Sequence, residues 1–477
     1  MASEQERYLN RTTMMGMVVG SMVGAGIFSL PATFGNATGP FGALIAWTIA
    51  GTGMLMLAFV FQFLAVRKPD LDAGIFTYAK EGFGNYPGFI AAFGFWAGSC
   101  LGNTTYFILI KSTLGAAIPA FGEGNTVPAV FVSSIVLWSI HFMILRGVKQ
   151  AAFINKIVTV AKIIPIIMFI VIVAFAFKKD LFVENFWGGG EYNFRDVIGQ
   201  VRRTMLVTVF VFIGVEGASV FSRYARNRAD VGWATVMGFL GVLCLMILVT
   251  LLPYGVLLRP EIADLRQPSM AGVLHAVVGT WGAVFVSAGL IVSVLGAYLA
   301  WTLLCAEALF TASRYELVPK AFGHENKNGV PSTALWLTNI LVQIFLILTI
   351  FAQYAFDLTL EMTSSMTLIP YLLVAAYGLK LGLTRETYES DPGRLRRREM
   401  AFAAIACIYS IFMIIAGGLV YVLLGCILLA PGSLLFIFAR RELKLRTFTP
   451  IELVLFSAIV LGAIVGIYAL VTGAITL

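Results

Sequence analysis

Gly20-Ser21-Met22-Val23-Gly24-Ala25-Gly26-Ile27-Phe28 lies in the middle of the first long apolar run of the chain. Three glycines so close together do not suit an undisturbed helix, because each costs about 1 kcal/mol relative to Ala. The simplest reading is a break. In a bilayer, broken backbone is tolerated only where it is buried in protein or lines a water-filled cavity, since lipid cannot bond the freed N–H and C=O groups. The stretch therefore marks a site.

That the surroundings are a bilayer follows from composition. The 477 residues are 59% hydrophobic and 12% charged, with a mean hydropathy of +0.89, which no water-soluble domain of this size carries. The apolar runs extend for about 20 residues without the period-2 alternation of a barrel, so the spans are helices. They fall near residues 12–34, 41–66, 88–117, 128–145, 154–177, 197–222, 232–257, 280–311, 332–352, 358–383, 401–418, 421–439 and 451–473. That predicts about 13 helices, with Gly417-Gly418 as the hairpin between the eleventh and twelfth.

The first run is too long for a signal-peptide core and reads as a retained span behind a polar tail, residues 1–11. Arg67 and Lys68, Arg146 and Lys149, Arg223 to Arg228, Arg314 and Lys320, Arg394 to Arg398 and Arg440 to Lys444 fall in one set of alternate loops. The opposite set is poorer, with Lys178, Lys179, Arg195, Arg259 and Arg266. By the positive-inside rule the N-terminus is cytoplasmic and the protein is a multi-pass component of the cell membrane. The net charge of +8 then reads as topology and lipid contact, with no nucleic-acid partner implied.

The five cysteines all sit in apolar runs and read as small core residues. His141, His275 and His324 are scattered, so neither a metal nor a cofactor is expected. No phosphate-binding loop of the G-x-x-x-x-G-K-[ST] type occurs, which argues against an ATP-driven pump. Nor do the spans hold clustered His, Asp or Cys of the kind an enzyme needs.

The sixth span repeats the peculiarity of the first. Phe212-Ile213-Gly214-Val215-Glu216-Gly217-Ala218-Ser219 places two glycines and a carboxylate inside an apolar run. Five spans separate the interruptions, and the two interrupted spans run in opposite directions, as an inverted repeat of five helices each produces. Residues 12–196 then form the first repeat, 197–385 the second, and 386–477 are peripheral spans. Paired breaks point to a midplane site where helix N-termini attract an anion and freed carbonyls a cation. An α-amino acid carries both groups on one carbon.

The first-span stretch resembles the G-S-x-I-G-S-G-I-F of the amino acid–polyamine–organocation superfamily, within it the basic amino acid/polyamine antiporters. Asp72-Ala73-Gly74-Ile75-Phe76-Thr77-Tyr78-Ala79 is similar to that family's loop after span 2, and Phe212-Ile213-Gly214-Val215-Glu216 to its F-x-G-x-E. The resemblance covers residues 12–385 and is nearest to arginine/ornithine exchangers. It implies an all-α, leucine-transporter-type fold of 5+5 helices with helices 1 and 6 broken. It also implies that the segment Ser21 to Gly26, through the amides around Gly24, Ala25 and Gly26, holds a substrate carboxylate, with Ala25 replacing the usual Ser. Carbonyls near Met22, Phe210 and Ile213, beside Gly214, would hold the α-ammonium. Asn103 and Trp301 would meet the side chain, and Tyr106, one turn from Asn103, shares its face.

Charge inside a bilayer needs a partner or a purpose. Glu216 either ties the broken segments together or meets a cationic substrate or a proton. Lys162, in span 5 with no local acid, either fills with its ammonium the space of a sodium ion, as in sodium-independent relatives, or snorkels to the interface. Glu361 either supplies charge to an arginine or ornithine side chain or is an acid at the outer interface. Lys111, Arg202 and Arg203 are expected at an outer vestibule. The function expected is alternating-access exchange of cationic amino acids, arginine for ornithine. Proton-coupled lysine or polyamine transport, a channel and a sensor on the same fold are the alternatives. The C-terminal spans suit a homodimer contact or lipid packing equally well.

Overall fold

The computed structural model describes residues 11–71, 75–147, 151–189, 193–216, 228–352, 354–388 and 393–475. Asp72, Ala73 and Gly74 of the loop motif, Lys149, and Gly217 to Ser219 with Arg223 and Arg226 lie outside the described residues. Among the described residues every regular element is helical and no strand occurs.

In chain order the helices are α1 (Arg11–Met22), α2 (Leu30–Ala37), α3 (Pro40–Arg67), α4 (Ile75–Phe83), α5 (Asn85–Gly115), α6 (Val127–Leu145), α7 (Ala151–Ala176), α8 (Lys179–Asn185) and α9 (Phe194–Phe210). There follow α10 (Arg228–Leu251), α11 (Arg259–Ala263), α12 (Ser269–Val278), α13 (Thr280–Arg314), α14 (Ser332–Leu348), α15 (Ala355–Thr384), α16 (Gly393–Gly417), α17 (Leu419–Glu442) and α18 (Pro450–Val471). The short helices α4, α8, α11 and α12 lie in segments that hydropathy marks only as loops. Prolines at the first turns of α3, α6 and α18 fit positions where an N–H has no intrahelical acceptor.

Among the described residues nine helices are long and apolar enough to cross a membrane, so the chain is a multi-pass membrane protein. They correspond to spans 2, 4 and 7 to 13 of the sequence reading. The others fall short for identifiable reasons. α1 and α9 end at the two breaks after 12 and 17 residues. α5 has 31 residues but carries Ser99, Asn103, Thr104, Thr105, Lys111 and Ser112. The apolar part of α7 described here runs Lys162–Ala176.

α5 is the central helix: all of it except Asn85 and Leu114 is buried. It packs against α15, α13, α4 and α14. Its polarity is tolerable because each serine and threonine hydroxyl finds an acceptor. Thr104 and Thr105 donate back to Cys100 and Leu101 carbonyls, each at 3.0 Å, and Thr105 Oγ1 lies 2.9 Å from Thr359 Oγ1 of α15. Trp96 Nε1 donates to Thr338 of α14 at 2.9 Å. Between helices in lipid, close approach and polar contacts of this kind replace the hydrophobic effect.

The C-terminal helices continue the packing. α16 lies against α3 and α15, and α17 contacts α5, α15 and α18. Phe93 of α5 sits over Gly432, where an added Cβ would stand 2.3 Å from the ring. Glu452, in the first turn of α18, accepts from the Tyr86 amide at the start of α5 at 2.8 Å. The α16–α17 connection turns at Gly418, whose φ is +90°.

Candidate functional site at the two helix breaks

α1 stops at Met22, Gly24 is extended (φ −110°, ψ −156°), and a buried single 3-10 turn follows from Ala25 to Ser29 before α2 begins. The opening amides of such a turn have no intrahelical acceptor. Ser29 Oγ donates to the Gly26 carbonyl at 2.8 Å, which holds the turn from within its own chain.

α9 stops at Phe210 and gives way to turns over residues 211–216. Gly214 has φ +108°, and a Cβ there would lie 2.4 Å from the Ser21 carbonyl oxygen. Only glycine permits both the dihedral and the approach. The two breaks therefore touch through backbone. Ser21 Oγ adds a bond across them, donating to the Gly214 carbonyl at 3.0 Å as well as to Val18 at 2.8 Å. Gly26 in turn packs on Phe210 and Val211, each 2.8 Å from where its Cβ would stand.

A buried cavity of about 20 Å³ lies between them. Its wall includes Ser21, Met22, Gly24 and Gly26 from the first break, Phe210 and Ile213 from the second, Asn103 and Tyr106 from α5, and Trp301 from α13. Nine of the residues singled out from sequence thus converge. Ile27, Ser99, Gly102, Val211, Thr363 and Thr367 complete the wall and were not assigned to it from sequence. Room of this size holds about one water and leaves no space for an amino acid. Asn103 is fully buried, and its Oδ1 has no hydrogen-bond partner among the described residues.

Ala25 and Gly214 are buried behind this wall and do not line it. Lys162, 6% exposed on α7, donates from Nζ to the Gly20 carbonyl at 3.3 Å, next to the first break. Glu216 is 7% exposed, and its Oε2 accepts from the Gly214 amide at 3.1 Å and from the Tyr371 hydroxyl at 2.7 Å. Sequence reasoning missed Tyr371. Its signal was a phenol in the apolar stretch of α15, where a buried hydroxyl requires a partner.

Glu361 lies elsewhere. It lines a vestibule of about 990 Å³ at the end of the bundle formed by α2, the loops after α5 and α11 and the starts of α9 and α15. There it shares the wall with Tyr421, Asp357, Arg202 and Arg203. Lys111 does not reach that wall: it is 2% exposed, and its Nζ has no partner among the described residues. Most arginines at this end bond backbone. Arg202 donates to Ala416 and Arg203 to Ala37, both at 3.1 Å, and Arg259 to Gly35 at 2.9 Å and to Gly188. Arg266 donates to Ser112 at 2.9 Å and to Gly122.

The opposite end is closed by contacts among α3, α4, α13, α15 and α16. Arg67 bonds Glu399 at 2.5 Å and lies 3.6 Å from the Tyr388 ring centroid, while Lys68 pairs with Glu386. Lys80 donates to the Tyr315 carbonyl at 2.7 Å and Lys380 to the Gly82 carbonyl at 2.6 Å. The Glu386 carboxylate raises the Lys68 ammonium above its ordinary pKa, and partial burial lowers that of Lys80.

The family described as amino acid permease matches residues 9–422. The arginine/ornithine antiporter of Pseudomonas aeruginosa is 49% identical over 483 residues, covering 100% of both chains. The L-lysine transport protein of Corynebacterium glutamicum is 39% identical over 100% of this chain and 98% of its own. The arginine/agmatine antiporter of Chlamydia pneumoniae is 38% identical over 99% of each.

Proposed function

The chain belongs to the amino acid permease family, and we propose that it exchanges cationic amino acids, arginine against ornithine, across the cell membrane by alternating access. The observation that carries this reading is the meeting of two helix breaks at one closed cavity, in a chain whose full-length relative at 49% identity is an arginine/ornithine antiporter.

On this reading the amides of the first break, around Gly24, Ala25 and Gly26, take the substrate carboxylate, and carbonyls near Met22, Phe210 and Ile213 take the α-ammonium. Asn103, with its bare Oδ1, and Trp301 meet the side chain. Lys162 stands beside the first break as a fixed cation, which suits transport without sodium. Glu216 ties the second break to α15 through Tyr371. The thirteen-helix count, the 5+5 repeat and a cytoplasmic N-terminus belong to this proposal. The last makes the 990 Å³ vestibule the outer entrance and the Arg67 and Lys80 contacts the inner seal. Exchange of arginine for ornithine moves equal charge both ways, so metabolite gradients suffice to drive it.

Proteoliposomes loaded with ornithine provide the test. Labelled arginine is expected to enter only when an internal cationic amino acid is present, with sodium absent. Uptake indifferent to internal amino acid would break the antiport reading, and a leak without counter-substrate would indicate a channel or uniporter.

A further inference from the structure

At the sealed end of the bundle most cationic side chains spend their charge inside the protein. Arg67 bonds Glu399, Lys68 bonds Glu386, and Lys80, Lys380 and Arg396 donate to backbone carbonyls. Arg394, Arg397 and Arg398, in the first two turns of α16, are different: they are exposed, and none has a hydrogen bond or ion pair among the described residues. The carboxylates within reach are taken. Glu399 is buried and also accepts from the Tyr388 hydroxyl at 2.7 Å, while Glu389 and Asp391 lie outside the described residues.

Positions 394, 397 and 398 share one helix face, so the three like charges repel one another and an anion relieves them. Arg398 is already seated. Its guanidinium stands 5.2 Å over the Phe402 ring, and that ring stacks on Phe59 of α3 with centroids 4.7 Å apart. A guanidinium placed on a ring keeps N–H groups free for a phosphate. Beyond Phe402 the same face continues apolar and exposed through Ile405 and Ile408. From Arg398 to Ile408 the helix rises about 15 Å, half of a hydrocarbon core of about 30 Å. The face thus carries charge at one end and the length of one leaflet's acyl chain after it.

We propose that Arg394, Arg397 and Arg398 hold the phosphate of one anionic phospholipid, whose acyl chain lies along Phe402, Ile405 and Ile408. This is a single retained molecule on one face of α16, distinct from the general attraction of basic loops to an anionic leaflet. A soluble phosphate would satisfy the arginines and leave the apolar continuation of the face without a role. The site is independent of the exchange reading above.

Native mass spectrometry of the full chain in detergent, titrated with phosphatidylglycerol or phosphatidylcholine, provides the test. The wild type is expected to retain one phosphatidylglycerol at least tenfold more tightly than phosphatidylcholine. Arg394→Gln, Arg397→Gln and Arg398→Gln combined should weaken that retention about tenfold or more. Phe402→Leu, which unseats Arg398, should weaken it about threefold. Arg441→Gln with Lys444→Gln removes exposed charge at the end of α17 and should retain the lipid like wild type. Phosphatidylglycerol should also raise the Tm of the wild type by about 2–4 °C and leave that of the triple variant unmoved. Equal retention of the two lipids by the wild type would overturn the proposal, as would undiminished retention in the triple variant or an equal loss in the α17 variant. A dimer that dissociates in the triple variant at unchanged lipid retention would give the face to a second copy instead. Should the triple variant not assemble, Arg398→Gln alone, with an expected loss of about threefold, decides.

Discussion

The two breaks meet at one cavity but are held in different ways. The first is made of small residues and held by scattered bonds: Ser29 bonds Gly26 within the turn, Lys162 of α7 reaches Gly20, and Ser269 of α12 donates to the Ser29 carbonyl at 3.0 Å. The second has a glycine at φ +108° pressed against the first, and a carboxylate whose partners lie on its own backbone and on α15. The first break is tied to its neighbours by single bonds to backbone carbonyls. The other is fixed to a neighbouring helix, so movement of α15 and movement of the second break are mechanically one event.

Gly214→Ala strikes this contrast hardest. Strain of about 1–3 kcal/mol from the dihedral, added to an overlap with Ser21, should reduce exchange by about a hundredfold. Gly24→Ala, whose Cβ meets only the Tyr106 hydroxyl at 3.3 Å, should lose about two- to fivefold in the same flux assay. Equal losses would end the distinction between a break that demands glycine and one that does not.

Glu216→Gln tests the anchor. Weakening charge-assisted bonds to Gly214 and Tyr371 should cost about tenfold in exchange rate, and Tyr371→Phe should reproduce most of it. If Tyr371→Phe transports like wild type, the second break is not tied to α15 in any way that matters.

On the first break, Lys162→Ala should lower sodium-free exchange by about five- to tenfold. Unchanged flux and pH profile would take the lysine out of the mechanism. Ser29→Ala, which removes one neutral bond, should lose about threefold or less. The smallest effect belongs to the vestibule: Glu361→Gln should raise arginine KM about twofold at low ionic strength, an increase abolished in high salt.

Much of this arrangement is legible in the sequence, because the bilayer forbids what a soluble core allows. Glycines crowded at 20–26 and 214–217 had to be breaks, and nine residues chosen from sequence line the cavity. Glu361 shows where that reasoning stops. Its depth in α15 could be estimated, but the side of the helix facing the cavity depends on packing angle, and the helix turns it toward the vestibule. The same holds for Lys111, read as a vestibule residue and found inside the bundle. Tyr371 was invisible for another reason: it meets Glu216 from a different helix, and no spacing along the chain joins the two.

The smallness of the closed cavity has a kinetic meaning. A void of about 20 Å³ cannot receive an amino acid unless Phe210, Trp301 and their neighbours withdraw, so occupancy and wall position are not independent variables. On the proposed reading, the substrate acts as the wedge that keeps the two breaks apart. On that reading the breaks lie together without it, and the return stroke of an unloaded carrier begins from that arrangement. Obligatory exchange then needs no lock against the empty crossing, since what holds the empty carrier back is the absence of its own spacer.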